Sequence, residues 1–211
     1  MIRTLLTILI FSFIAGCTPL QKSPGAISTY DFGVLYPSTK ETATTQTPQS
    51  QHDKKSLLIA DVTSPAWLDN TAIHYRLMYH NPTQTFMYGN SRWIASPAAL
   101  FTQQLRNQIV SQLNEYVIKD SSAAKTDRTL DIELKELVHV FETATDSHVV
   151  FGLRASLIER NSRKLLAQKD FNISEKATSA DAAGAVSAIN TASNRLIGEL
   201  VNWLNSVSLG N

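Results

Sequence analysis

Hydrophobic positions along this chain switch between two periods, and the switches lay out its elements. From Thr129 to Lys135 the alternation is strict, with Leu130, Ile132 and Leu134 on one face and Asp131, Glu133 and Lys135 on the other. That is the signature of a half-buried strand. The phase then slips to Leu137, which predicts a bulge or bend. Val149, Phe151, Leu153, Ala155 and Leu157 form a second alternating strand, with Val150 and Ile158 on its other face. Arg160 to Lys164 reads as a hairpin turn and Leu165 to Ile173 as the returning strand. The four-residue spacing of Phe101, Leu105, Ile109 and Leu113 marks a helix, started by Ser96 as N-cap and Pro97 at the first helical position. It should end near Tyr116, with Val117 and Ile118 in a short strand. A longer helix, capped by Ser179, should run to about Val207. Val186, Ile189, Leu196 and Leu200 stripe it, with Ile197, Val201 and Leu204 alongside. Ala182, Ala183, Ala185 and Ala188 keep its first half narrow.

The N-terminal half is less regular. Ile27 to Leu35 reads as a first strand, and Ser56 to Val62 as a short buried one stopped by Pro65. Ile73–Tyr79 and Thr85–Tyr88 read as two strands around the turn signal His80-Asn81-Pro82-Thr83. Residues 37–55 and 119–127 are polar, the first so poor in hydrophobes that a flexible linker is expected. No sequence repeat is evident. The pattern predicts a mixed α/β fold, a mixed β-sheet flanked by helices.

The first residues do not belong to that fold. Arg3 supplies a positive start, and Leu5 to Ile14 is an apolar stretch too short for a bilayer span, which needs about 20 residues. Ala15 and Gly16 then precede Cys17, the chain's only cysteine. This is the layout of a secretory signal, and the placement of Cys17 resembles the lipobox of bacterial lipoproteins. In such proteins the cysteine sulfur carries a diacylglyceryl group and the new amino group an N-acyl chain. Two or more chains hold stably to a membrane where one does not. The expected organisation is a signal peptide at 1–16, a lipidated tether at 17–26 and one domain at 27–211, with the flexible insert 37–55.

Composition then narrows the function classes. Without residues 1–16, and so without Arg3, 18 basic residues face 18 acidic ones. A nearly neutral domain lacks the basic footprint of a nucleic-acid binder. Export implies an oxidising compartment, yet with Cys17 lipidated no disulfide can form within the chain. Packing alone must hold the fold. No catalytic constellation stands out. His52, His74, His80, His139 and His148 lack metal-ligand spacing, and no nucleophile elbow, zinc-protease helix or phosphate-binding glycine loop is present. The sequence reads as a non-enzyme with no metal or soluble cofactor. Its unusual internal feature is an aromatic stretch: Trp67, Tyr75, Tyr79, Phe86, Tyr88 and Trp93. Such residues either pack a strand-based core with their polar tips bonded, or form a patch for a protein or lipid.

The order of motifs resembles the ABC-type transport auxiliary lipoproteins. The resemblance rests on Tyr30-Asp31-Phe32-Gly33 soon after the cysteine, on Ile73-x-Tyr75-Arg76, and on Met87-Tyr88 followed by Arg92-Trp93-x-x-x-Pro97. A helix with Leu100, Leu105 and Leu113 comes next, and the later strands and terminal helix follow in order. Pro97 stands alone where the family often has a proline pair. The resemblance implies an anticodon-binding-domain-like α/β fold and a place beside an MCE-domain protein and an ABC permease and ATPase that move lipid between two membranes. It implies anchoring on the periplasmic face of the outer membrane, in accord with Thr18 where lipoproteins kept at the inner membrane usually carry Asp. A homo-oligomeric ring docked at the end of a lipid conduit would fit that role. Partner or lipid contacts are expected at Tyr75, Arg76, Tyr88, Arg92 and Trp93, with no nucleic acid. The competing expectation is a lipoprotein that crosses the periplasm to regulate a peptidoglycan synthase.

Overall fold

The computed structural model describes residues 25–33, 55–113, 116–119 and 125–209. The leader, Cys17 and nearly all of the expected linker lie outside these. The described chain is mixed α/β: eight strands in one mixed sheet, and two helices. The strands are β1 (Ser28–Tyr30), β2 (Ser56–Ile59), β3 (Ala72–Leu77), β4 (Asn81–Trp93), β5 (Tyr116–Lys119), β6 (Arg128–Phe141), β7 (Ser147–Glu159) and β8 (Leu165–Lys176). The helices are α1 (Pro97–Gln112) and α2 (Ala182–Leu209).

The sheet forks at β6. One edge of that 14-residue strand pairs antiparallel with β7 along its whole length, and β7 with β8. The other edge is shared. Its first part pairs parallel with β2, which carries β5, and its last part pairs parallel with β3, which carries β4 and β1. The bulge expected before Leu137 falls between Leu134 and Glu136. It lets Leu130, Ile132 and Leu134 face inward, then Leu137, His139 and Phe141 as well. All six are buried, while Asp131, Glu133 and Lys135 are exposed.

Both helices share one core with the inward positions of β6 and β7. Phe101, Leu105, Ile109 and Leu113 are buried from α1, as are Val186, Ile189, Leu196, Ile197, Leu200, Val201 and Leu204 from α2. Gln104 Nε2 donates to Asn194 Oδ1 across the helix pair at 3.1 Å. β8 forms an outer edge, and charges guard it: Arg154 of β7 grips Asp170 with two hydrogen bonds of 2.7 and 2.8 Å.

The structure differs from the sequence pattern at several places. The first strand stops at Tyr30 because the Asp31 carboxylate accepts the Gly33 N–H at 2.8 Å, and Gly33 sits at φ 77°, a conformation glycine adopts freely. The β3–β4 turn is Met78–His80, so Asn81 and Pro82 begin β4. Asn81 Oδ1 there binds Thr83 N and Oγ1 in a local turn. β4 skips register between Arg76 and Leu77, which accommodates the proline. β4 also outruns the expected Tyr88, continuing to Trp93 because β1 pairs with Ser91–Trp93. Helix α1 ends at Gln112, short of Tyr116, which begins β5 and donates its N–H to Lys55 O. Ser96 occupies the N-cap position but makes no side-chain cap bond.

Finally, the cap of α2 is Asp181. Its Oδ1 accepts the Gly184 N–H at 2.8 Å, and Ser179 supports it by donating its hydroxyl to the same oxygen. These bonds hold the Asp181 carboxyl below its ordinary range. Asp181→Ala should cost about 1 kcal/mol by urea unfolding, and Ser179→Ala distinctly less.

Candidate functional site

The aromatic stretch divides among three settings. Trp93 is only 2% exposed and stands edge-on to Phe32 at 5.1 Å between ring centroids. Phe32 in turn meets Phe151 at 6.2 Å. This is the central core, and no partner can reach the indole there. Arg92, one residue earlier, is exposed and registers between Thr29 and Ala72.

The second setting is a half-buried aromatic cluster on β3, β4 and β6. Tyr75 is its hub: its ring stacks on Phe86 at 5.3 Å, tilts against Tyr88 at 4.8 Å and meets Phe141 edge-on at 5.9 Å. Register explains the assembly. Tyr75 lies opposite Phe86 in the β3–β4 ladder and opposite His139 in the β3–β6 ladder, and directly opposed residues share a face. His139 is fully buried, packs on Phe141 at 4.3 Å, and its Nδ1 lies 2.8 Å from Tyr88 Oη.

Electrostatics keep both partners neutral. Burial, opposed by Asp181, pushes the His139 imidazole down to about 4. Burial, reinforced by Asp181 and Tyr75, pushes the Tyr88 phenol up. At neutral pH both are uncharged, so Tyr88 Oη and His139 Nδ1 share a hydrogen bond between neutral groups. His139 Nε2 has no hydrogen-bond partner. The pair cross-links β4 to β6.

The opposite sheet face of the hairpin differs. His74 lies opposite Met87 and Arg76 opposite Thr85. Arg76 Nη1 pairs with Glu136 Oε1 at 3.1 Å, the residue that resumes the β6–β7 ladder after the bulge. Trp67 stands edge-on to His74 at 5.4 Å. Trp67, Met78, Tyr79 and Met87 are 39%, 40%, 55% and 62% exposed.

A separate cleft of about 600 Å³ lies between α1 and the β2–β3 connection. Two of its lining side chains bond within the fold, although Arg106 Nε is left without a hydrogen-bond partner. Arg106 Nη2 binds Asp61 Oδ1 at 2.9 Å and Ile59 O at 2.7 Å, while Thr102 Oγ1 donates to Ala98 O and accepts from Val62 N. Among the described residues, no group of three or more His, Cys, Asp or Glu side chains could hold a metal ion. No described helix is long and apolar enough to cross a membrane.

Sequence reasoning placed Tyr75, Arg76 and Tyr88 near one another but missed Glu136, His139 and Phe141, which complete their surroundings from a strand some sixty residues on. The available signal was His139 itself, standing between Leu137 and Phe141 on the apolar phase of an alternating strand.

Solved structures share this architecture. Protein XCC0632 from Xanthomonas campestris, a DUF330 member, superposes with TM-score 0.64 at 17% identity, covering 74% of this chain and 87% of that one. An uncharacterized protein gives 0.65 at 14% identity over 85% and 99%. Hypothetical protein CT253 from Chlamydia trachomatis gives 0.54 at 11% over 75% and 99%. At such identities the likeness is one of fold. No curated protein matches the chain. The sequence model for the ABC-type transport auxiliary lipoprotein component matches residues 38–201, which takes in β2 through most of α2. The chain therefore belongs to the family of ABC-type transport auxiliary lipoprotein components.

Proposed function

We propose that this protein is a lipid-anchored docking component of an MCE-type ABC system that moves lipid between the inner and outer membranes. The observation that carries this is the family match over residues 38–201, in a chain whose leader ends at Cys17. The family is an auxiliary lipoprotein of ABC-type transport; the outer-membrane address and the MCE partner are the finer reading. The N-acyl and S-diacylglyceryl chains on Cys17 hold the domain at the periplasmic leaflet, and the domain acts there by contact. Tyr75, Arg76, Tyr88 and Arg92 contribute to the contact surface or brace it, and Trp93 supports it from the core. The free outer edge that β4 shows over Asn81–Asn90 among the described residues suits assembly into a homo-oligomeric ring.

Purification from solubilised membranes tests the reading. Recovery of an MCE-domain protein with its permease or ATPase is the expected result, and recovery of a peptidoglycan synthase alone would support regulation of cell-wall synthesis instead. Cys17→Ser should leave the leader uncleaved and abolish acylation, read by mass spectrometry of the N-terminus. A normally fractionating Cys17→Ser protein would refute the anchor.

A further inference from the structure

Exposed apolar side chains are not scattered evenly over this molecule. Nine large ones are exposed among the described residues, and four of them, Trp67, Met78, Tyr79 and Met87, belong to the β3–β4 hairpin or stand beside it. Monomeric surfaces rarely gather such residues without a partner for them. Trp and Tyr carry an apolar body and a polar tip, the chemistry favoured where a protein meets a bilayer interface.

The described N-terminal residues, 25–30, point toward the same end of the sheet. β1 runs parallel to β4, with Ser28 opposite Ser91. Gly25 lies so close to Asn90 that a Cβ there would meet its side-chain nitrogen at 3.2 Å. Read backward from Tyr30 to Gly25, this segment therefore points toward the start of β4 and the Met78–His80 turn. From Asn90 to Asn81 is nine strand residues, about 30 Å. From Gly25 to Cys17 is eight residues, which can span at most about 26–29 Å. The two lengths match closely. Extended along that heading, the tether is long enough to bring a lipid on Cys17 to the level of the hairpin turn and little beyond.

We infer that the β3–β4 hairpin is a membrane-contact surface: Met78, Tyr79 and Met87, with Trp67 beside them, rest in the interface of the bilayer that holds the protein's own acyl chains. The inference rests on the lipid anchor of the proposed function and adds the orientation of the domain. Affinity comes from the acyl chains. The hairpin contributes little binding of its own, because Arg76 is paired with Glu136 and nearby Lys176 with Asp146, which leaves little net positive charge for anionic headgroups. Its role is to fix which end of the sheet faces the membrane. The β7–β8 turn at the opposite end of β7, Arg160–Lys164, is wholly polar and stands about 40 Å away along that strand.

The test uses the mature lipidated protein in vesicles of phosphatidylethanolamine and phosphatidylglycerol with dibrominated acyl chains. The thioether of lipidated Cys17 does not react with thiol probes, so Tyr79→Cys, Met87→Cys and Asn161→Cys each take one fluorophore. All three sites are exposed, and unchanged melting curves confirm that the variants fold. For a contact about 5–10 Å deep, bromine should dim the probes at 79 and 87 about twofold or more and leave the probe at 161 unchanged. Flotation of the same samples reads the anchor separately. Protein that floats with its vesicles while probes 79 and 87 stay bright overturns the hairpin inference alone, as does quenching at 161 instead. Probes 79 and 87 that are unquenched by bromine yet shielded from aqueous iodide mean that protein covers the patch, which also overturns it. Protein that fails to float removes the anchor, and this inference with it.

Discussion

Trp93→Ala should destabilise the domain by about 3–5 kcal/mol, the usual cost of emptying a buried indole site. The indole is 2% exposed and closes the end of β4 onto Phe32, which extends the contact to Phe151 of β7. Its backbone is committed too: Trp93 N–H donates to Thr71 O at 2.8 Å, and the residue pairs with Tyr30 of β1. Removing the ring takes away the packing that seats Phe32 and with it the short β1, which has only three residues of ladder. Folded domains hold only about 5–15 kcal/mol in total, so the loss is a large share. For a domain of this size it corresponds to a fall in Tm of roughly 6–20 °C. Met87→Ala, at a 62% exposed position of the same strand, should stay within about 0.5 kcal/mol. A Trp93→Ala protein that melts with the wild type would contradict the core assignment.

This contrast shows what could be seen before the fold was known. Trp93 and Met87 sit in one aromatic stretch, and nothing in their spacing tells which of them is covered. The strictly alternating strands were legible because their partners are adjacent in the chain: β6, β7 and β8 form a meander in which every second residue declares its face. Even the β6 bulge was visible, as the phase slip between Leu134 and Leu137. The helices were legible from their stripes. What escaped was set by distant residues. β4 extends to Trp93 through pairing with β1, and the fork of the sheet depends on parallel pairings of β2 and β3 with a strand that lies more than sixty residues later. Parallel pairing leaves no short-range signal comparable to a hairpin turn. The cap of α2 was misplaced by two residues because Ser179 and Asp181 are both good caps, and only the bond to Gly184 decides between them. The candidate site followed the same rule: Tyr75 and Tyr88 could be named from their own strands, but the histidine joining them comes from β6.

That histidine makes the stability of the domain depend on pH. His139 is held neutral by burial, its folded value pushed to about 4 from an ordinary 6.5. Well above pH 6.5 neither the folded nor the unfolded chain protonates it, and folding is unaffected. As the pH falls below 6.5, the unfolded chain takes up a proton that the folded chain refuses, so stability drops. At about 1.4 kcal/mol per pH unit, the loss accumulates to about 3 kcal/mol by pH 4 and then levels off, since both states are protonated below that. Two neighbouring charges set the window: Asp181 favours the protonated ring and His148 opposes it, both less strongly than burial. His74, also lowered by burial, adds a smaller loss of the same sign. The carboxylates Asp127, Asp170 and Asp181 are held below their ordinary values by hydrogen bonds. They lose their stabilising effect only when the pH falls toward and below the ordinary carboxylate range, so the interval from pH 6.5 to about 4.5 belongs to the histidines. His139→Phe keeps a ring of similar size in the cluster and removes the titration. The Tyr88 hydroxyl loses its partner, at a cost of about 1 kcal/mol that does not vary with pH in this range. Urea unfolding of wild type and His139→Phe across pH 7.5 to 4.5 should therefore give curves that converge or cross as the solution acidifies, the variant being the less sensitive. Parallel curves would mean that the ring accepts its proton inside the folded protein, and that the Tyr88–His139 bond holds a charge rather than a neutral pair.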